Sequence, residues 1–243
     1  ASLTKVLSTT VLCAVAIEKG CLCLEETPLP RWPRIRVLDV LAHTSGLPAW
    51  RPHFQAVQAF GASAAFDAAR VLADVFATVP ERNPSTSTIY SDVGFIALGR
   101  LLEERLGSPL GKLFAEHAQP LLSTAGLHYC PPWHAAAMTQ ELQARYVAGE
   151  RCPWRRRIAW GEAQDENCAA LGGAAGHAGL FGSVGDVVAA GRSLVRMLQS
   201  KHLGASAVLR EFASWPGSRG LGFDRQSDGG STAGSLGAHS VGH

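Results

Sequence analysis

The sequence predicts a helix-rich fold of the α+β class, in which helices greatly outnumber strands. Apolar residues recur at helical spacing in six segments separated by loops that contain Gly and Pro, whereas a short strand is indicated at residues 220–223. The 243 residues are 47% hydrophobic, so a single domain can bury a sizeable core. We find no internal repeat and no linker that divides residues 1–243.

The predicted elements follow in order along the chain. Residues 2–19 are apolar on nearly all faces, which predicts a buried helix, and Gly20 suits its end. The further predicted helices span residues 37–43, 56–78, 91–106, 110–122 and 184–199, the last with Ser183 as its cap. Residues 126–168 show few periodic features and are predicted to be irregular.

The charge and cysteine content narrow the class of protein. The formal net charge is +2 without a long run of like charge, which argues against nucleic-acid binding. No stretch has the length of a transmembrane helix.

Residues 1–16 can alternatively be interpreted as a signal peptide, because Lys5 precedes an apolar run that ends in Ala14-Val15-Ala16. We expect free thiols rather than disulfides, since a domain of this length does not need cross-links, at Cys13, Cys21, Cys23, Cys130, Cys152 and Cys168.

The tetrad Ser2-Leu3-Thr4-Lys5 is the first pattern that indicates chemistry. Residues i and i+3 of a helix share a face, so the Ser2 hydroxyl and the Lys5 amine can meet. A serine hydroxyl is a weak nucleophile until a base takes its proton, and a lysine in an apolar helix loses hydration, which favours its neutral form. The Ser2 backbone N–H is also available to an oxyanion. Such a tetrad arises by chance too, so alone it does not establish a site.

Two later segments contain further candidates. Tyr90-Ser91-Asp92 stands between a polar loop and a helix, so that the tyrosine either projects into a cleft or simply plugs the core while Asp92 caps the helix. The segment 176–181 is rich in glycine, which indicates tight turns where something approaches the backbone closely. We assign substrate contacts to His177, Gly179 and Asn167, although a lone histidine there is more often a packed residue than a catalyst.

Together these motifs resemble class C β-lactamase-like serine hydrolases, a family that includes penicillin-binding D-Ala-D-Ala peptidases, D-aminopeptidases and esterases. The resemblance covers nearly the whole chain and rests on four segments in the order typical of the family: Ala-Ser-Leu-Thr-Lys at 1–5, Leu-Ala-His-Thr-Ser-Gly-Leu-Pro at 41–48, Tyr-Ser-Asp-Val-Gly-Phe at 90–95 and Gly-His-Ala-Gly-Leu-Phe at 176–181. Four ordered motifs are far more specific than the tetrad, and they weaken the signal-peptide interpretation.

The resemblance implies a helical subdomain beside an antiparallel sheet, with the site between them. It implies that Ser2 is the acylated nucleophile, Lys5 its partner and Tyr90 a proton shuttle to the leaving group. Gly242-His243 resembles the start of the His-Thr-Gly motif of the family, which places His243 on the opposite wall of the site. The implied reaction cleaves a small-molecule amide or ester, namely a β-lactam, a peptidoglycan-type peptide or a short ester, through an acyl-enzyme without metal or cofactor.

Asp92 departs from the family pattern, which usually has asparagine at this position. If the Asp92 carboxylate faces Lys5, the ion pair favours the charged amine, weakens it as a base and shifts proton abstraction towards Tyr90. If Asp92 instead caps the helix that begins at 93, Lys5 is freer to act. The sequence leaves both alternatives open.

The family also has sheet strands before the nucleophile helix and after the His-Thr-Gly triad, and we expect both to be missing here. The hypothesis is a domain truncated at both ends that lacks one oxyanion-hole N–H, a loss that typically costs about 10²–10³ in rate. Two rival interpretations are a non-catalytic binding or sensor domain for cell-wall peptides or β-lactams, and an inactive gene fragment. Localisation is not predicted, since any signal peptide would precede Ala1. The oligomeric state is not predicted either.

Other kinds of site have weaker support. The sequence contains no Gly-x-Ser-x-Gly, which argues against an α/β-hydrolase. His239 and His243 are four residues apart but outside a His-Glu-x-x-His motif, so we predict no metal site. The arginines at 151 and 155–157 either recognise a substrate carboxylate or form a solvated basic loop, and the second case is the more frequent one.

Overall fold

Helix α1 lies at the centre of the structure, with apolar side chains around it. The computed structural model describes residues 2–57, 68–129, 144–217, 219–225 and 240–242. α1 starts with a π-helical part, Lys5–Thr10, and continues as the α-helix Val11–Glu18. Its residues are buried from position 4 to position 16, as expected for a helix that is apolar on nearly all faces.

The other helices pack around α1 and complete the apolar core. In chain order they are α2 (Val37–Leu41), α3 (Ala68–Ala77), α4 (Asp92–Leu106), α5 (Leu110–Leu113, Phe114–Ala118 and Gln119–Leu121 in succession), α6 (Glu166–Ala170), α7 (Val184–Gln199) and α8 (Ala205–Ala213), with a 3₁₀ turn at His53–Ala56. α1 contacts α4, α5 and α8, while α2 and α3 contact α4. Phe95, Phe114 and Phe212 are fully buried between these helices.

Within the described residues, six short strands form three antiparallel pairs. β1 (His128–Tyr129) pairs with β4 (Leu180–Phe181), β2 (Ala148–Cys152) with β3 (Arg157–Trp160), and β5 (Asp224–Arg225) with β6 (Val241–Gly242). The prediction of a helix-rich α+β fold is confirmed. The truncation of the domain at both ends stays a prediction.

The glycine-rich segment before β4 is fastened to the first turns of α1. The Leu180 N–H donates to the Thr4 Oγ1 at 3.2 Å, and the Thr9 Oγ1 donates to the Gly176 carbonyl at 2.6 Å. A Cβ on Gly176 would lie 2.0 Å from the Phe95 carbonyl of α4, so only glycine permits this approach. The segment therefore joins α1 to α4 beside the start of α1.

Two local predictions are wrong, and one helix was not predicted. Residues 126–168 were predicted to be irregular, but they contain β1, β2, β3 and the start of α6. The alternation of apolar and polar residues that indicates a half-buried strand is missing in β2, because β2 exposes four of its five residues. The strand expected at 220–223 is instead a bend, in which Gly222 (φ +75°) donates its N–H to the Leu41 carbonyl, and the strand begins at Asp224. Helix α8 was not predicted, although Leu209 and Phe212 bury one of its faces.

Part of the predicted helix 56–78 is observed as α3, while residues 58–67 lie outside the described residues. The five cysteines that the structure describes are free thiols, and Cys130 is outside that part of the chain. No helix among the described residues is both long and apolar enough to cross a bilayer.

Candidate active site

Ser2 and Lys5 meet at the start of α1. The Lys5 Nζ donates a hydrogen bond to the Ser2 Oγ at 3.0 Å, and the Lys5 N–H donates to the Ser2 carbonyl at 2.9 Å. Lys5 is fully buried, whereas Ser2 is half-buried and keeps one side towards solvent. A buried amine needs polar partners, and the serine hydroxyl is one of them.

Asp92 supplies the second partner of Lys5. Its Oδ1 lies 2.6 Å from the Lys5 Nζ, and its side chain is 20% exposed. The cap of α4 is made by Ser91, whose Oγ accepts a hydrogen bond from the Gly94 N–H at 3.3 Å. Of the two alternatives that the sequence left open, the structure thus has the carboxylate facing the amine. The Lys5 Nζ thus donates to the Ser2 Oγ and forms an ion pair with the Asp92 Oδ1, although that contact lacks the geometry of a hydrogen bond. An ammonium in this ion pair has no lone pair with which to take the serine proton.

Tyr90 borders the same amine. The Lys5 Nζ lies 4.7 Å from the centroid of the Tyr90 ring, within the range of a cation–π contact. The ring also stacks on the imidazole of His43, with centroids 4.4 Å apart and planes at 29°. Because Tyr90 is half-buried, it has both a fixed inner face and access to the surface.

The segment 43–49 holds the segment 89–92 in place through four hydrogen bonds. The Ile89 N–H donates to the His43 carbonyl (2.9 Å), and the Ser91 N–H donates to the His43 Nδ1 (3.0 Å). The Ser91 Oγ donates to the Pro48 carbonyl (2.7 Å), and the Asp92 N–H donates to the Ala49 carbonyl (2.8 Å). His43 is buried, and because its Nδ1 accepts, its proton is on Nε2. This histidine therefore fixes both the ring of Tyr90 and the backbone of Ser91.

Arg219 is a further neighbour of Tyr90. Its Cζ lies 5.6 Å from the Tyr90 ring centroid, and one guanidinium nitrogen lies 3.6 Å from the Asp224 Oδ1. Its Nε is buried without a hydrogen-bond partner. Arg219 belongs to no sequence motif and was not predicted. His43 lies in one of the four motifs, but no role was predicted for it.

The buried His177 pairs with the partly exposed Asp165. The His177 Nε2 lies 2.8 Å from the Asp165 Oδ1, while its Nδ1 is buried and has no partner. Burial alone raises the pKa of Asp165, but the hydrogen bond and charge of His177 outweigh it, and the pKa is below its usual value. Lys5 acts in the same direction on Asp165. The contact of His177 with substrate stays a prediction.

Asn167 and Gly179, the other two expected substrate contacts, have structural partners. The Asn167 amide is buried, accepts from the Phe54 N–H at 2.9 Å and donates to the Arg51 carbonyl at 2.9 Å. Gly179 has φ +118°, and a Cβ there would lie 2.4 Å from the Gly173 carbonyl. Asn167 therefore holds the segment 51–54, and Gly179 allows the close approach to Gly173. The contact of both residues with substrate stays a prediction.

The arginines at 155 and 157 are held by Glu162. Arg155 is buried and donates to the Ala163 carbonyl at 2.7 Å, with one guanidinium nitrogen 3.2 Å from the Glu162 carboxylate; Arg157 lies 2.7 Å from the same carboxylate. These two side chains stabilise the β2–β3 hairpin. His239 and His243 lie outside the described residues, and among those that are described no group of His, Cys, Asp and Glu could hold a metal ion.

Four of the predicted site residues thus converge, namely Ser2, Lys5, Tyr90 and Asp92. They combine a hydroxyl, a buried amine beside it, a phenol and a carboxylate, which are groups that general acid–base and nucleophilic catalysis use. The described contacts of His177 and Asn167 are with Asp165 and with the segment 51–54 instead.

Comparisons with known proteins identify the family of the chain. The family model described as Beta-lactamase matches residues 1–243. A putative D-alanyl-D-alanine carboxypeptidase of Escherichia coli is 30% identical over 160 residues, which cover 63% of this chain and 37% of that protein. The chain therefore spans well under two thirds of the length of the curated relatives it matches.

Solved structures show the fold independently. A class C β-lactamase mutant superposes with a TM-score of 0.61 at 17% identity, over 88% of this chain and 55% of that one. A β-lactamase/D-alanine carboxypeptidase from Pseudomonas syringae gives a TM-score of 0.60 at 17% identity, over 92% of this chain and 59% of that one. At this identity the likeness concerns the fold alone.

Proposed function

Because the chain belongs to the β-lactamase family, we propose that it is a serine hydrolase that cleaves an amide or ester through an acyl-enzyme on Ser2. One observation carries the proposal: the Ser2 hydroxyl lies 3.0 Å from an amine that the fold buries completely. Burial of a lysine is costly unless the site uses it or pairs it. This lysine is paired on one side and faces a half-exposed serine on the other.

In the proposed reaction the Ser2 Oγ attacks the carbonyl carbon of the substrate. Lys5, as the ammonium partner of Asp92, holds the serine oxygen but does not accept its proton. Tyr90 relays that proton: the phenol oxygen accepts it while the phenol's own proton passes to the leaving nitrogen or oxygen, whose bond to the carbonyl carbon breaks. Water then attacks the acyl carbon, whose bond to the Ser2 Oγ breaks so that the acid product leaves. The Tyr90 oxygen accepts the proton of the water while the phenol proton passes to the Ser2 Oγ.

We propose peptides that end in D-alanine as the substrate class, ahead of β-lactams and short esters. The name of the Escherichia coli relative suggests this class. Arg219 supports it, because its guanidinium lies beside the Tyr90 ring and a leaving group that carries a carboxylate would need a cation there.

A second candidate is a receptor that is acylated without turnover. The Lys5–Asp92 ion pair at 2.6 Å favours it, because an ammonium cannot activate the hydrolytic water. In that case a β-lactam would leave a lasting covalent adduct on Ser2. The two candidates share the acylation step and differ in the lifetime of the acyl-enzyme.

The test is hydrolysis of nitrocefin, p-nitrophenyl acetate and a D-Ala-D-Ala peptide by the chain, together with intact mass spectrometry. We expect an adduct or turnover that disappears in Ser2→Ala and persists in Ser214→Ala, an exposed serine at the end of α8. A stable adduct without product identifies the receptor. Equal activity in Ser2→Ala would remove the proposed nucleophile.

A further inference from the structure

A groove lies between the segment 32–35 and the loop 79–86, and we call it the arginine groove. Its cavity has a volume of about 710 Å³, within the size range of small-molecule sites. Trp32, Ile35, Val79 and the prolines at 33, 80 and 84 make its walls mostly apolar. None of Ser2, Lys5, Tyr90 and Asp92 lines it, so it is a different site from the proposed active site.

The groove has a positive charge that the described residues leave unbalanced. Arg34 and Arg82 line it, and both are exposed; neither forms an ion pair within the described part of the chain. Arg31 lies next to them, with its Cζ 5.7 Å from the Trp32 ring centroid. The one carboxylate in the lining, Glu81, is already paired with Arg51.

The walls of the groove are fixed by hydrogen bonds. On one side the N–H groups of Glu81 and Arg82 donate to the Gly46 carbonyl at 2.8 and 3.2 Å. On the other side the Trp32 N–H donates to the Leu29 carbonyl at 2.7 Å, and the Ile35 N–H donates to the Trp32 carbonyl at 2.9 Å. A preformed cavity loses less conformational freedom when a ligand enters than a mobile surface does.

Trp32 adds an orphan donor to this wall. Its indole Nε1 is buried and has no hydrogen-bond partner, although an indole N–H usually finds one. An acceptor that enters beside the ring would relieve this cost after a small rotation of the side chain. The nitrogen is not accessible from the groove as it stands, so the groove itself presents an aromatic wall and two unpaired guanidinium groups.

We propose that the arginine groove binds an organic carboxylate with an apolar or aromatic body. Guanidinium groups pair with carboxylates in a two-pronged geometry, and an aromatic wall packs against a flat apolar body. Inorganic phosphate offers the charge without the apolar body, so it would leave the walls of the groove hydrated. The ligand is thus defined by both features together.

The test uses naphthalene-1-acetate as probe and naphthalene-1-acetamide as its uncharged counterpart, measured by titration calorimetry on Ser2→Ala. In that variant a reaction at the proposed active site cannot contribute to the heat. We expect binding of the acid, at least about fivefold weaker binding of the amide, and no heat with inorganic phosphate. Arg34→Gln and Arg82→Gln should each weaken the acid about fivefold or more, while Arg192→Gln, an exposed arginine of α7, should not.

Four outcomes would overturn the proposal: equal affinity for acid and amide, no binding of the acid at millimolar concentration, affinity for phosphate equal to that for the acid, or unchanged affinity in both groove variants. Far-ultraviolet circular dichroism of each variant shows whether the fold is retained. The result does not depend on whether the chain is a hydrolase.

Discussion

Replacing Asp92 with asparagine removes the negative charge next to Lys5 and keeps the shape of the side chain. The Asp92 Oδ1 lies 2.6 Å from the Lys5 Nζ. At an effective dielectric constant of about 20, the attraction between the two charges is roughly 6 kcal/mol before desolvation is subtracted. Lys5 is fully buried and Asp92 is 20% exposed, so little of this attraction is screened by water.

The expected loss of stability is smaller than that attraction. The amide oxygen of asparagine keeps a polar atom beside Lys5, and the amine can lose its proton when its counter-charge is gone. We therefore expect Asp92→Asn to lower the free energy of unfolding by about 1–3 kcal/mol, the usual cost of weakening a charged hydrogen bond. Urea denaturation measures this directly.

The expected effect on the reaction has the opposite direction. Without the carboxylate, the neutral amine is favoured and can take the Ser2 proton itself, so acylation should accelerate by about tenfold or more. The rate is followed as the burst of nitrocefin cleavage or as the appearance of the acyl adduct. Ser183→Ala serves as a matched control, because it removes the cap of α7 at a cost of about 1 kcal/mol without touching Lys5.

Two results would refute this reasoning. If acylation in Asp92→Asn is unchanged or slower while the protein stays folded, the charge on Lys5 does not limit the reaction. If stability is unchanged, the ion pair makes no net contribution and its burial needs another explanation.

Three further predictions concern other parts of the molecule. Arg219→Gln should lower kcat/KM for a D-Ala-D-Ala peptide about tenfold more than for the same peptide with its C-terminal carboxylate amidated, and equal losses would exclude carboxylate recognition by Arg219. Burial raises the pKa of the Cys13 thiol, so peptide mapping after iodoacetamide treatment at pH 8 should find the exposed Cys23 modified and Cys13 modified only after unfolding; early labelling of Cys13 would contradict its burial. Asp165 has a folded-state pKa below its usual value, so its contribution to stability is present above the unfolded-state pKa and is lost as pH falls through the folded-state pKa. Asp165→Asn should therefore lower the free energy of unfolding by about 1–3 kcal/mol at pH 7 and by less near pH 3. A pH-independent difference in urea denaturation would refute the His177 pairing as the cause.

The parts of the site that depend on local spacing were predictable from the sequence. Ser2 and Lys5 are three residues apart on a helix, so their meeting follows from helical geometry once the helix is identified. The orientation of Asp92 was not predictable, because a carboxylate at the first position of α4 can serve the cap or the amine. Only the positions of Ser91 and Lys5 in space decide between the two.

Contacts between residues far apart in the chain could not be predicted from the sequence. Arg219 reaches Tyr90 across 129 positions of the chain, and no pattern in the residues near it signals this contact. The β2–β3 hairpin escaped for a different reason: its side chains are mostly exposed, so the pairing rests on backbone hydrogen bonds and on the ion pairs of Glu162. Neither feature has a periodicity that sequence analysis can detect.

Helix α1 has a practical consequence for anyone who handles this protein. Its buried middle is part of the core, and its first turn holds Ser2. When heat or denaturant unfolds the core, the surroundings of Ser2 are therefore lost with it. The fraction of molecules that a reactive acyl probe labels at Ser2 should then equal the folded fraction. This labelled fraction should fall with denaturant along the same curve as a spectroscopic signal of tertiary structure.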